Sequence, residues 1–230
     1  MPLIHRIWLG GKMPAKYQEY GQQWLELNPG YELHDWMEEE IWDTHWTNQR
    51  VLNRMREEVK QPGADQVAFY THVADVVDYE ILFREGGFYF NTDMKPIRPL
   101  KMLNINPDFP VLAMEDDTHP VNMAMYSPKE HDFFATVIDL LPLRYFGMPG
   151  AYMNATTGVQ LLEHAIREYK HHRPWANVAT WPRNVFNPIH WSEFDYGEEP
   201  NTEREYPKET VAVHEWLHRT NQRGQRVLEQ

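Results

Sequence analysis

The sequence predicts an α/β fold with a largely parallel sheet, and three observations carry that expectation. Short runs of apolar, β-branched and aromatic residues end at Gly, Asn or Pro turns, as strands do. Longer helix-forming stretches lie between them, so strand and helix alternate along most of the chain. No linker, internal repeat or low-complexity tract divides the 230 residues, so a single domain over residues 1–230 is expected.

The elements follow in order. Residues 3–9 are mostly apolar and stop at Gly10-Gly11, which reads as a buried strand ending in a tight turn. A helix is expected around Tyr17–Leu27, stopped by Asn28-Pro29-Gly30, and a second strand over Tyr31–Trp36. Glu38 to about Val59 reads as helical, with Pro62-Gly63 as its breaker. Val67, Tyr70, Ala74, Val77 and Ile81 form one helical stripe, which Gly86-Gly87 ends at the C′ position. On that helix Asp75 and Asp78 flank the stripe, and Asp78 reads as part of a solvated face. Phe88-Tyr89-Phe90 is the next strand, with Asn91-Thr92-Asp93 at its end. Val111–Met114 and Val121–Tyr126 are strand candidates around an acidic turn, Glu115-Asp116-Asp117. Helices are expected at 130–141 and 157–170. Residues 171–208 read as mostly loop, and Thr210–Val213 as a last strand running into His214.

Composition excludes several classes. The charge is −12, from 22 Lys and Arg against 34 Asp and Glu, which disfavours nucleic acid and anionic membranes as general partners. Without cysteine there is no disulfide framework, thiolate nucleophile or Cys-based zinc site. No signal-peptide pattern opens the chain and no apolar run is long enough to span a bilayer, so a cytoplasmic protein is expected. Neither a P-loop nor a G-x-S-x-G elbow occurs.

In open α/β sheets ligands bind beyond the carboxyl ends of strands. Three polar groups follow strand candidates directly: Asn91 with Asp93, the acidic turn, and His214. Asn91 and Asp93, two apart at a strand end, can turn oxygens toward one hard cation such as Mn²⁺ or Mg²⁺, although turn chemistry alone also explains them. His214-Glu215-Trp216-Leu217-His218 matches the letters of H-E-x-x-H, which leaves a zinc hydrolase as an alternative. Its β-like Thr-Val-Ala-Val approach does not suit a metalloprotease helix.

Four blocks resemble one family. These are Ile4-His5-Arg6-Ile7-Trp8-Leu9-Gly10-Gly11; then Trp24 with Asn28-Pro29-Gly30-Tyr31-Glu32 and Trp36; then Ala74 to Leu82 with Gly86 to Asp93; and, more loosely, Thr157-Gly158 with Val213-His214. Together they resemble the DXD-motif glycosyltransferases, a group that includes yeast α-mannosyltransferase, bacterial capsular and lipopolysaccharide sugar transferases, and the core of the clostridial glucosylating toxins. The resemblance implies a GT-A fold, a Rossmann-like, mostly parallel central sheet flanked by helices. It implies a nucleotide-sugar half at about 1–100 and an acceptor-side half at about 101–230. It further implies a retaining, metal-dependent hexosyltransferase using a nucleoside-diphosphate sugar and Mn²⁺ or Mg²⁺.

Carried over by position, Trp8, with Ile7 and Leu9, would line the nucleotide base pocket, and Asp75 would meet ribose or sugar hydroxyls. Tyr79 and Tyr89 would border the donor. Asn91 and Asp93 would form the metal motif, with Asp75, Asn91 and Asp93 as the catalytic set, and His214 would be a further metal or diphosphate ligand. Glu115, Asp116 and Asn122 are acceptor-side candidates, and the aromatic stretch 174–196 is either an acceptor wall or packed loop. Glycan, lipid-linked, protein and modified-nucleobase acceptors stay open. Two departures stand out: Asn91 replaces the first Asp of the motif, and Asp78 stands where the family has Arg. Arg219 or Arg223 is the expected source of the missing positive charge, and a catalytically weakened or inactive nucleotide-sugar or glycan-binding protein is the alternative.

Overall fold

In a computed structural model, residues 2–189 and 205–216 can be described. Arg219, Arg223, His218 and part of the 174–196 stretch lie outside them. Six strands form one sheet: β1 (Leu3–Trp8), β2 (Glu32–Met37), β3 (Gly87–Phe90), β5 (Val111–Met114), β6 (Pro120–Ser127) and β7 (Ala179–Trp181). Their order across it is β2-β1-β3-β6-β5-β7. β1 pairs in parallel with β2 and β3, and β5 with β7; β6 alone runs against its neighbours. The sheet is therefore mostly parallel, as expected. A separate antiparallel pair joins β4 (Met94–Pro96) to β8 (Ala212–His214).

Helices cover both faces. On one lie α2 (Glu38–Asp43), α3 (Gln49–Glu58), α4 (Gln66–Glu85), α5 (Asp132–Gly147) and α7 (Val159–His172), sharing a core with Ile7, Tyr89, Leu112 and Met125 of the sheet. On the other, α1 (Ala15–Leu27) brings Trp24, and α8 (Arg183–Phe186) brings Val185 and Phe186, against Ile4, Phe88, Phe90 and Met123. Strand alternation decides these memberships: Phe88 and Phe90 face α1 while Tyr89 between them faces α4. The short helix α6 (Met153–Thr156) links α5 to α7.

Arg6 ties β1 to its neighbours. It is fully buried, forks onto both oxygens of Asp35 at 2.7 and 2.8 Å, and donates to the Tyr17 carbonyl at 2.7 Å. A planar guanidinium suits that bidentate geometry. The helix α4 starts where the Asp65 carboxylate caps Val67 and Ala68, and ends at Gly86 with φ +67°, a left-handed conformation that glycine adopts without strain.

Several expectations need correcting. The 38–59 stretch is two helices, because residues 44–48 leave the helix to seat Trp46 in the core beside α4. The second half of α4 has no solvated back: from Val73 to Leu82 every residue but Ala74 is buried, and Asp78 is 0% exposed. The cause is its position between the sheet and the α3 and α5 helices, which turns an edge-of-stripe residue inward. Trp181, within the stretch read as loop, sits in β7 and packs in the core near Phe88. The strand β4 has no sequence signal, since three residues carry no periodicity. Among the described residues no helix is long and apolar enough to cross a membrane.

Candidate active site

The carboxyl ends of β1 and β3 and the start of α4 face the same side of the sheet, as the parallel pairing of β1 and β3 requires. At the end of β3 the chain turns through Asn91-Thr92-Asp93. The Asn91 amide donates to the Met123 carbonyl at 2.9 Å, and the Met94 amide to the Asn91 carbonyl at 3.1 Å, which closes the turn and starts β4. Pairing of β4 with β8 places Met94 opposite His214. As a result Nε2 of His214 lies 3.1 Å from Oδ1 of Asp93 and 3.4 Å from Nδ2 of Asn91, although 123 residues separate Asn91 from His214. The Glu215 amide donates to the Asp93 carbonyl at 3.1 Å and locks that register. Both Asp93 and His214 are buried.

Tyr89 donates its hydroxyl to Oδ1 of Asn91 at 3.2 Å. Burial, then the carboxylates of Asp78, Asp75 and Asp93, hold that phenol well above its ordinary pKa, so it remains a donor at neutral pH. Next to His214, the Glu215 carboxylate accepts the Tyr20 hydroxyl at 2.5 Å and pairs with Lys16 at 2.9 Å.

The second half of the site hangs on α4. Asp75 accepts from the Asn122 amide at 2.8 Å on one oxygen and from the Thr157 hydroxyl at 2.8 Å on the other. The same Asn122 nitrogen donates to Oδ2 of Asp78 at 2.8 Å. Alternation in β6 explains why Asn122 faces α4, since Val121 and Met123 on either side face the opposite core. Burial raises the Asp75 pKa to about 6 against the lowering effect of those two donors. Burial, and then the Asp75 charge, push Asp78 well above the carboxylate range, so Asp78 is the proton carrier of the pair near neutrality. Its Oδ1 is buried with no hydrogen-bond partner among the described residues.

Trp8 closes β1 with its ring 5.7 Å from that of Tyr17, in a cluster with Met13 and Tyr20. Its Nε1 is buried and has no partner among the described residues. Ile7 points into the core, and Leu9 is half-buried against the same core. Tyr79 is fully buried and donates to the Thr157 carbonyl at 2.8 Å, which fixes the loop that supplies the Thr157 hydroxyl to Asp75. The geometry thus brings together Tyr89, Asn91, Asp93 and His214 in one group, and Asp75 with Asn122 in another.

The acidic turn does not join either group through any described contact. Asp116 is half-buried and caps its own turn, accepting from Thr118 and His119 and pairing with the His119 ring at 2.7 Å. The hydrogen bonds from His119 and Thr118 hold its carboxyl far below the usual range. Glu115 donates its amide to the His119 carbonyl at 2.8 Å in the same turn. Sequence reasoning missed Thr157 and Tyr20 as partners of the site, and it marked Asp78 as a departure from the family's Arg while reading it as solvated. Of the two missed, only Thr157 carried a signal, through the Thr157-Gly158 match.

Among the described residues no three His, Asp or Glu side chains cluster as a full metal cage. Mg²⁺ and Mn²⁺ need less: one or two carboxylates with substrate phosphates and water complete their shell. Asp93, His214 and the amide of Asn91 fit that requirement. His214 sits in a strand rather than a helix, which removes the helical spacing that H-E-x-x-H chemistry uses.

Comparison with known proteins agrees with the sequence resemblance. Residues 14–110 match the family described as glycosyltransferase sugar-binding region containing DXD motif. An uncharacterised glycosyltransferase, L373, of Acanthamoeba polyphaga mimivirus is 24% identical over 193 residues, covering 81% of this chain and 72% of that protein. Inositol phosphoceramide mannosyltransferase 3 of Schizosaccharomyces pombe is 23% identical over 198 residues, 84% of this chain but only 53% of the relative. The UDP-bound glycosyltransferase domain of the YGT toxin superposes with a TM-score of 0.57 at 9% identity, covering 78% of this chain and 79% of that one. The shared fold is the GT-A fold expected from the sequence.

Proposed function

We propose that this GT-A-type glycosyltransferase, whose residues 14–110 match the DXD-containing sugar-binding region, transfers a hexosyl group from a nucleoside-diphosphate sugar to an acceptor, with retention and with a divalent cation. The observation that carries this reading is the meeting of Asp93, His214 and Asn91 at the end of β3. Asp93 and His214, with Asn91, would hold Mn²⁺ or Mg²⁺, which when bound neutralises a diphosphate leaving group. Every other part of the task falls to side chains. Trp8, buried against Tyr17 at the end of β1, would border the base. Asp75, oriented by Asn122 and Thr157, accepts hydrogen bonds from sugar or ribose hydroxyls. Tyr89 orients the Asn91 amide. Burial of Asp93 and His214 keeps water from competing for the diphosphate.

The test is a melting-temperature panel of UDP, GDP, CDP, ADP and dTDP with Mn²⁺, Mg²⁺ or chelator, since a ligand of the folded state raises the melting temperature by mass action. The expected result is a metal-dependent shift for one nucleotide, lost in Asp93→Ala. A shift that survives chelator and Asp93→Ala equally would refute the metal role. One observation favours a second reading, a chain that binds the donor without turnover. Asn91 brings no charge to the cation and its side-chain carbonyl is engaged by Tyr89. Hydrolysis of the donor without acceptor would decide against that reading.

A further inference from the structure

A cleft of about 580 Å³ opens between α3, the first half of α4 and the end of α5. Arg50, Arg54, His72, Tyr145, Phe146 and Thr156 line it. Two links join it to the site. His72 lies one turn before Asp75 on α4, a rise of about 4.5 Å along the axis. Thr156 is the neighbour of Thr157, whose hydroxyl bonds Asp75. The other candidate acceptor side, the acidic turn, has no such link.

The lining has a distinct chemistry. Arg50 and Arg54 are four residues apart on α3 and so share a face. The Arg54 charge is met by Glu58 at 2.7 Å, and Tyr145 also donates to Glu58. Arg50 has no carboxylate partner among the described residues; its guanidinium lies over the Phe146 ring at 4.7 Å. A guanidinium lying over a ring still has N–H groups to offer a planar or tetrahedral oxyanion. His72 lines the cleft, and its Nε2 is buried with no partner among the described residues. Arg50 is exposed, and with Arg54 and His72 against the single carboxylate of Glu58 it gives this cleft a positive balance on a chain of net charge −12, which favours an anion.

We propose that this cleft is the acceptor subsite and that it takes a hydroxylated acceptor carrying a phosphate-class anion, with the anion at Arg50 and the hydroxyl end directed past His72 toward Asp75. The assignment rests on the transferase reading above and adds the chemical class of the acceptor to it. Phosphate on a free sugar or polyol and phosphate in a lipid headgroup present the same anion to Arg50.

The experiment is titration of the full chain, saturated with Mg²⁺ and the nucleotide that the melting panel selects to occupy the donor side, with glycerol 1-phosphate, inorganic phosphate and glycerol, followed by calorimetry and by the His72 ring resonances. Saturable binding of both phosphates but not of glycerol is expected, with a shift at His72. Arg50→Gln should weaken it by about tenfold or more, the loss of one charge-assisted hydrogen bond, and Arg50→Lys should keep most of it. Arg56→Gln on the same helix removes a cation that stacks on Trp42 instead, and should change nothing. Sedimentation with phosphatidylinositol and phosphatidylcholine vesicles assigns the source: Arg50-dependent capture by the first alone supports a headgroup, and soluble binding without capture supports a free phosphorylated acceptor. No saturable phosphate binding, or equal binding by Arg50→Gln, overturns the proposal. Failure of every nucleotide of the panel to bind overturns the transferase reading instead, and the phosphate arm, repeated without nucleotide, still reads the cleft.

Discussion

Asp75 should cost the folded protein stability at the pH where it is useful. It is buried, its oxygens are met by one amide and one hydroxyl, and burial moves its pKa from 3.8 to about 6. The folded state therefore binds the Asp75 proton more tightly than the unfolded chain does. Between those two values stability falls as pH rises; the contribution is fully present below 3.8 and lost above about 6. Each pKa unit is worth about 1.4 kcal/mol, so the loss is about 3 kcal/mol. Asp75→Asn removes the ionisation while keeping an acceptor oxygen. Urea denaturation of both proteins from pH 4 to pH 8 should show the stability difference moving by about 3 kcal/mol in favour of Asp75→Asn as pH rises. In the same samples donor turnover should fall. Two stability curves that stay parallel across that range would refute the reasoning, because they would mean that Asp75 ionises in the fold as readily as in the unfolded chain.

Three further outcomes follow from geometry already described. Asn91→Asp restores a charge beside Asp93 and His214 and should tighten Mn²⁺ by roughly tenfold, measured by calorimetry, since cation affinity follows ligand charge. His5 is fully buried, with Nε2 on the Gly86 carbonyl at 3.0 Å and Nδ1 accepting from Trp36 at 3.3 Å, and burial lowers its pKa to about 4. Its ring resonances should stay in the neutral form down to about pH 5, and its contribution to stability should be lost as pH falls from 6.5 towards 4. Gly86→Ala should destabilise by at least about 2 kcal/mol in the same denaturation assay, because a Cβ there would lie 2.6 Å from the Lys129 backbone nitrogen at a φ of +67°.

Much of the fold could be read from local pattern. The β1 run, the Asn28-Pro29-Gly30 stop and the α4 to β3 junction are each written in consecutive residues, and each stands in the structure within a residue or two. Less legible was anything set by packing between distant segments. Asp78 sits beside an apolar stripe and so reads as solvated, yet α4 is enclosed by the sheet, α3 and α5, and Asn122 from β6 meets its carboxylate. Strand β4 is three residues long and exists because β8 pairs with it. In the site, the Asn91 and Asp93 motif and His214 were separately visible, but their approach depends on that pairing. The Arg50 cleft had no signal at all, because Arg50 and His72 come from different helices and Phe146 from a third.

The pairing of β4 with β8 also sets an order of events. The six-stranded sheet is complete once Trp181 is in place, whereas the imidazole beside Asp93 arrives only with the last described strand. Contacts between residues so far apart in sequence form late, since the intervening chain loses the most freedom in closing that loop. A growing polypeptide would thus own the six-stranded sheet before β8 could bring His214 to Asp93. The meeting of His214 with Asp93 would begin with the closing of a single three-residue ribbon.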